Sequence, residues 1–286
     1  MNKLTQRLLT FFIGLPLVIF IVYIPIYNHL PLNILIVIVA FISSLEAYNL
    51  IRRNSPMQPK VAVVCFSTTI ALTSLICSLT GMDYTLVTFV FVAAFIVLMA
   101  LEIFIPANKN ETVEELFVDS NQKLCSSIFV LFYGGFLITF ISRMTVLENS
   151  IPYLIVFLMM VFICDSLAWL FGMCFGKNNR GFVKASPNKS IVGFIGGIIG
   201  SVLSGILGWY IWRDVFTGSI TKMIIAGIVV AIASILGDLV ESVFKRSAGC
   251  KDSGNIIPGR GGILDSIDSI LMTAPVYYLI IKLMFE

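Results

Sequence analysis

Charge is scarce in this sequence: only 12% of its 286 residues are Asp, Glu, Lys or Arg. A soluble domain carries about 25%, so a water-soluble fold is excluded. Histidine is nearly absent, with His29 alone, which rules out a histidine-rich metal centre and leaves catalysis to carboxylates, lysines, arginines and backbone. The six cysteines (Cys65, Cys77, Cys125, Cys164, Cys174 and Cys250) form no CxxC pair. Set in apolar runs, most read as small core residues rather than metal ligands. The net charge of +3 is too small to point to nucleic acid.

What remains is hydrocarbon: 58% of the residues are hydrophobic and the mean hydropathy is +0.98. A helical membrane span needs about 20 apolar residues, and nine segments qualify: 8–27, 31–51, 61–81, 84–105, 124–144, 151–172, 190–212, 220–244 and 267–285. The expected fold is an all-α polytopic membrane protein. The first run is too long, and lacks the small-x-small site, for a cleaved signal. Basic residues in loops mark the cytoplasmic side. With the N-terminus inside, 15 lysines and arginines fall on that side and 4 (Arg143, Arg213, Lys222 and Lys282) on the other.

A composition shift divides the chain into a four-span half, 1–120, and a five-span functional half, 121–286. Three cytoplasmic segments are substantial: 106–123, 173–189 and 245–266. The first reads as a solvated connector, with a short amphipathic helix as the other option. The seventh span carries overlapping small residues (Gly193, Gly196, Gly197, Gly200, Ser201, Ser204, Gly205 and Gly208). Such a stripe lets helices approach closely, either within the bundle or between two copies as a homodimer.

The polar residues gather between 238 and 268. Asp238, Glu241, Ser242 and Lys245 stand at i, i+3, i+4 and i+7, one face of the eighth span. Asp265 and Asp268 open the ninth. Helix capping accounts for one acid there, but not for two helices aiming acids at one depth. An ionised side chain in the bilayer costs about 2.5–3.5 kcal/mol on insertion scales, so the acids predict a cavity. Mg²⁺ takes one or two carboxylates together with substrate phosphates; Asp238, Asp265, Asp268 and Glu241 are the candidate ligands.

Between them runs KRSAGCKDSGNIIPGRGG, with Gly254, Gly259, Gly261 and Gly262 flanked by Lys245, Arg246, Lys251 and Arg260. Backbone amides of such a turn can cradle phosphate. Asp165 lies at matching depth on the sixth span, and Ser186, Lys189 and Ser190 lead into the seventh with groups suited to a nucleotide. Glu46 and Glu102, on the second and fourth spans, fit helix pairing better than chemistry.

The string from Ser242 to Asp268, S-x-x-K-R-x4-K-D-x-G-x2-I-P-G-x-G-G-x-x-D-x-x-D, resembles the signature of the phosphatidate cytidylyltransferases, or CDP-diacylglycerol synthases. D-S-x-A-W-x-x-G-x-x-F-G-K from Asp165 and S-P-N-K-S-x-x-G-F-I-G-G from Ser186 are similar to two further segments of that family. The resemblance implies a nucleotidyltransferase of phospholipid biosynthesis that uses CTP and phosphatidate, with Mg²⁺ and K⁺ as cofactors, at the inner face of a bacterial-type plasma membrane. It implies Asp238 and Asp265 as metal ligands beside Asp268 and Glu241, and Lys245 as catalytic with them. Phosphate and nucleotide contacts would come from Asp165, Ser186, Lys189, Ser190, Arg246, Lys251, Asp252, Gly259, Arg260, Gly261 and Gly262.

Three positions depart from the family pattern: Val192 for glutamate, Arg260 for histidine and Ser266 for arginine. Losing a charge-assisted contact costs about 1.5–3 kcal/mol, so reduced or altered activity is the second expectation. A CTP-dependent polyprenol or phytol kinase, which would release CDP, and an ion-coupled carrier are the remaining alternatives. Against a carrier, no inverted repeat is evident and the polar groups collect at one mouth.

Overall fold

The computed structural model describes residues 13, 14, 16–105 and 112–286. Among them, eight helices are long and apolar enough to cross a membrane: α1 (Ile26–Ile51), α2 (Lys60–Thr80), α3 (Thr85–Ile103), α4 (Val113–Thr145), α5 (Ser150–Phe175), α6 (Ile191–Ile211), α7 (Ile220–Ser247) and α8 (Leu264–Met284). These are the second to ninth expected spans, and the chain is an all-α integral membrane protein. Residues 8–12 and 15 of the first expected span lie outside the described residues; from 16 it is helical to Val22, which is buried in the core.

The helix ends follow local chemistry. Ser190 and Ser219 cap α6 and α7, their hydroxyls accepting from Gly193 N and Thr221 N. Gly81 ends α2 at φ 72°. The α7 terminus is a Schellman turn: Gly249 sits at φ 64°, Cys250 N bonds Lys245 O at 2.9 Å and Gly249 N bonds Arg246 O at 3.1 Å. This turn releases the chain toward the glycine loop. Within the connector 106–123, Val113–Phe117 form a helical turn with a Thr112/Glu115 capping box, the other of the two options the sequence leaves for this segment.

The small-residue stripe of α6 is buried, and mostly against α5. A Cβ at Gly200 would lie 2.8 Å from Ile163 O, and one at Gly193 2.8 Å from Ala168 O. The stripe is therefore spent on packing inside the bundle, which answers the choice left open by the sequence.

A second close approach reshapes α4. Leu131–Phe136 form a π-turn, with Leu137 N bonding Phe132 O at 3.0 Å, five residues back. Gly134 and Gly135 press on α1 and α2: added Cβ atoms would meet Ser44 Oγ at 2.6 Å and Ser67 O at 2.8 Å. Hydroxyls from the same two helices serve nearby carbonyls, Ser43 Oγ donating to Gly134 O (3.2 Å) and Ser67 Oγ to Val130 O (3.3 Å). The wide turn points Tyr133 inward, where it is 2% exposed.

Candidate active site

At one end of the bundle, α5, α6, α7, α8 and their two loops enclose a cavity of about 480 Å³, within the roughly 300–1,000 Å³ range of small-molecule sites. α5 contributes Asp165, Trp169 and Met173 from one helical face. The α5–α6 loop adds Arg180, Asn188 and Lys189, α7 adds Asp238 and Lys245, and the glycine loop with α8 adds Asp252, Arg260, Asp265 and Asp268.

Of the five acids on this wall, three have one oxygen held by the protein. Asp165 Oδ1 accepts from Ser234 Oγ at 3.4 Å, Asp268 Oδ1 accepts from Ser269 N at 2.7 Å, and Asp238 Oδ2 pairs with Lys189. Their other oxygens have no protein donor among the described residues. Two more acids clamp a lysine: Lys245 donates to Glu241 and, at 2.7 Å, to Asp265 Oδ1. The other oxygen of Asp265 accepts from Ser253 N (2.8 Å), Ser253 Oγ (2.9 Å) and Gly262 N (2.7 Å). Asp265 thus ties α7, the glycine loop and α8 together. Glu241 Oε1 is buried without a partner.

Two further features shape the glycine loop. Pro258 and Gly259 (φ 77°) occupy the corners of a tight turn closed by Arg260 N to Ile257 O at 3.1 Å, the residues and φ of a type II turn. Gly261, at φ 116°, turns the chain back, and a Cβ there would meet Asp252 Cβ at 3.1 Å. This geometry puts Arg260 on the cavity wall. Glu46 reaches over from α1: its carboxylate accepts from Leu264 N (2.7 Å), Ile263 N (3.2 Å) and, more weakly, Ser253 Oγ (3.5 Å). The helix-pairing role expected for Glu46 takes this form, and Glu102 pairs α3 with Gln58 at 2.9 Å.

The cavity brings together Asp165, Lys189, Ser190, Asp238, Lys245, Asp252, Arg260, Asp265 and Asp268. Glu241 lies behind that wall, and Gly262 is buried under Glu46 and Ser253. Ser186, Arg246, Lys251 and Gly259 are not on the wall; Arg246 instead holds Ala185 O at 3.1 Å. Of the departing positions, Arg260 reaches the cavity, while Val192 and Ser266 do not. Sequence reasoning did not single out Arg180, Asn188 and Trp169 as site residues. Trp169 and Asn188 stood inside the quoted motifs, and Arg180 had only its place in a basic loop as a signal.

The oxygen-only donor set suits a hard divalent cation. Among the described residues, no three of His, Cys, Asp and Glu are grouped so as to hold a metal by themselves.

Comparison with known proteins places these motifs in context. The chain is 34% identical over 194 residues to the phosphatidate cytidylyltransferase of Synechocystis, covering 56% of this chain and 63% of that protein. It is 40% identical over 141 residues to that of Staphylococcus haemolyticus (49% and 52%), and 40% over 120 residues to that of Haemophilus influenzae (41% of each). The chain thus spans between two fifths and two thirds of the length of these relatives. Its match to the cytidylyltransferase family extends over residues 5–284. By that match the chain belongs to the cytidylyltransferase family.

Proposed function

We propose that this chain transfers the cytidylyl group of CTP to phosphatidate, giving CDP-diacylglycerol and pyrophosphate, at the 480 Å³ cavity. The observation that carries the reading is the cavity wall itself: Asp165, Asp238 and Asp268 share it with Lys189, Lys245, Arg180 and Arg260. Acids alone would repel a triphosphate and cations alone would need no acids; a metal–nucleotide uses both.

In the transfer, a phosphatidate oxygen attacks the α-phosphorus as its bond to the β-phosphate oxygen breaks, and pyrophosphate leaves. Positioning and charge stabilisation account for most of the catalysis in such reactions. Arg260 and Arg180 flank the phosphates. Lys245 offers its ammonium at the reacting end, held in place by Glu241 and Asp265. Lys189 balances Asp238 and sits beside the N-terminus of α6, itself favourable to anions.

Mg²⁺ would be held by one or two of Asp165, Asp238 and Asp268 together with substrate phosphates, and when bound it would neutralise charge on the phosphates and the leaving group. Asp265 and Glu241, expected from sequence as ligands, are assigned to Lys245 instead: both oxygens of Asp265 are occupied by Lys245, Ser253 and Gly262, and Glu241 lies off the cavity wall. The excess of basic residues around this end supports a cytoplasmic site in the inner membrane, where the nucleotide arrives from water and the lipid from the leaflet.

The test is purified protein with phosphatidate vesicles, CTP and Mg²⁺, followed by mass spectrometry of the lipid and a pyrophosphate assay. CDP-diacylglycerol and pyrophosphate in equal amounts, abolished by Asp238→Asn, are expected. No nucleotide-dependent lipid product would overturn the reading.

A further inference from the structure

The wall of acids has something behind it. Tyr133, on the π-turn of α4, has a buried hydroxyl without a hydrogen-bond partner, and Glu241 Oε1 is a second such atom. An unpaired buried polar atom is costly and calls for an explanation, and these two lie on helices that touch. The helices touch here: the Tyr133 ring packs edge-on to Phe244 at 6.2 Å and stacks on Phe129 at 5.2 Å. Phe244 lies three residues after Glu241, on the same face of α7. The negative charges acting on the Tyr133 hydroxyl are those of Asp268, Glu241 and Asp238. A regular α-helical turn would change the facing of Tyr133, and π-turns inside α-helices are frequent at functional sites.

We propose that Tyr133 is a positioning residue: its hydroxyl donates, directly or through one water, to the free oxygen of Glu241, fixing the carboxylate that orients Lys245. The role rests on the cytidylyl-transfer reading for its kinetic consequence, while the hydrogen-bond path stands independently of it. Glu241 then has one oxygen toward Lys245 and the other toward Tyr133, so its carboxylate plane is set from both sides. The ammonium that reaches the cavity inherits that orientation.

The experiment uses the full chain in nanodiscs. Tyr133→Phe removes one oxygen and keeps the ring packing. Its kcat is expected to fall ten-fold or more, with KM for CTP and for phosphatidate within two-fold of the parent. Tyr277→Phe, the same change at a buried hydroxyl also without a partner but away from the acids, should leave kcat unchanged. The Tyr133→Phe/Glu241→Gln double variant should be no slower than the slower single variant.

A readout independent of turnover is the ¹³Cζ resonance of labelled tyrosine, assigned by its loss in Tyr133→Phe. It should shift in Glu241→Gln in an otherwise wild-type chain. An unshifted resonance overturns the path, even if kcat falls. An active wild type with full kcat in Tyr133→Phe overturns the positioning role alone. A wild type without cytidylyl transfer overturns the reaction reading and the kinetic role together.

Discussion

Lys245 is the residue whose removal should cost most. Its side chain is 15% exposed, between Glu241 at 0% and Asp265 at 5%. Asp265 keeps three other donors, from Ser253 and Gly262; among the described residues Glu241 keeps no cation and no donor beyond the neutral hydroxyl of Tyr133 proposed above. Lys245→Met would therefore strand the Glu241 charge in the bundle. Breaking a buried pair from one side costs about 3–5 kcal/mol, and the cost should fall almost wholly on Glu241. Adding Glu241→Gln removes the stranded charge, so the double variant should recover more than half of the loss. Glu241→Gln alone should cost less than Lys245→Met, because Lys245 retains Asp265. Denaturant titration of the purified protein in mixed micelles, followed by tryptophan fluorescence, gives all four corners of this cycle. A loss below about 1 kcal/mol for Lys245→Met, or a double variant weaker than Lys245→Met, would refute the reasoning, since it would mean the clamp is exposed or absent.

Other perturbations test other parts of the site. Glu46→Ala removes the acceptor for the first amides of α8 and should cost about 1–2 kcal/mol as a lost cap; hydrogen exchange should quicken in 252–266 more than elsewhere. Gly200→Leu puts a side chain where a Cβ alone would stand 2.8 Å from Ile163 O, so α5 and α6 must separate, and loss of the folded monodisperse peak in size-exclusion chromatography is expected. Arg260→Ala should raise KM for CTP about ten-fold or more, the effect of one charge-assisted contact, and leave the KM for phosphatidate within two-fold. A larger effect on the lipid would move Arg260 to the other substrate.

The spans and much of the site could be read from the sequence because both depend on local patterns. Runs of about 20 apolar residues mark helices whatever their neighbours. The i, i+3 and i+7 spacing of Asp238, Glu241 and Lys245 is enough to put them on one face. For Glu46 and Glu102 the sequence favoured helix pairing over chemistry, and both carboxylates bond to neighbouring segments. What escaped depends on contacts between distant segments. The π-turn at Leu131–Phe136 exists where α1 and α2 press on Gly134 and Gly135, and no local spacing reports that pressure. Arg180 reaches the cavity because its loop folds back, bridging to Ser190, while Arg246, one residue from Lys245, rotates away to Ala185. The capacity of Asp265 to bind Lys245, Ser253 and Gly262 together was likewise hidden, because the loop residues it gathers become neighbours only after folding.

The central claim is that the nucleotide is attacked at its α-phosphorus at the wall formed by Asp165, Asp238 and Asp268. Parallel reactions with CTP labelled at the α- or the γ-phosphate, followed by solvent extraction, test it most directly. The α-label is expected in the lipid phase and the γ-label in pyrophosphate, with neither transfer in Asp238→Asn. Lipid carrying the γ-label would instead make the protein a kinase, and α-label transfer undiminished in Asp238→Asn would put the chemistry somewhere other than this cavity.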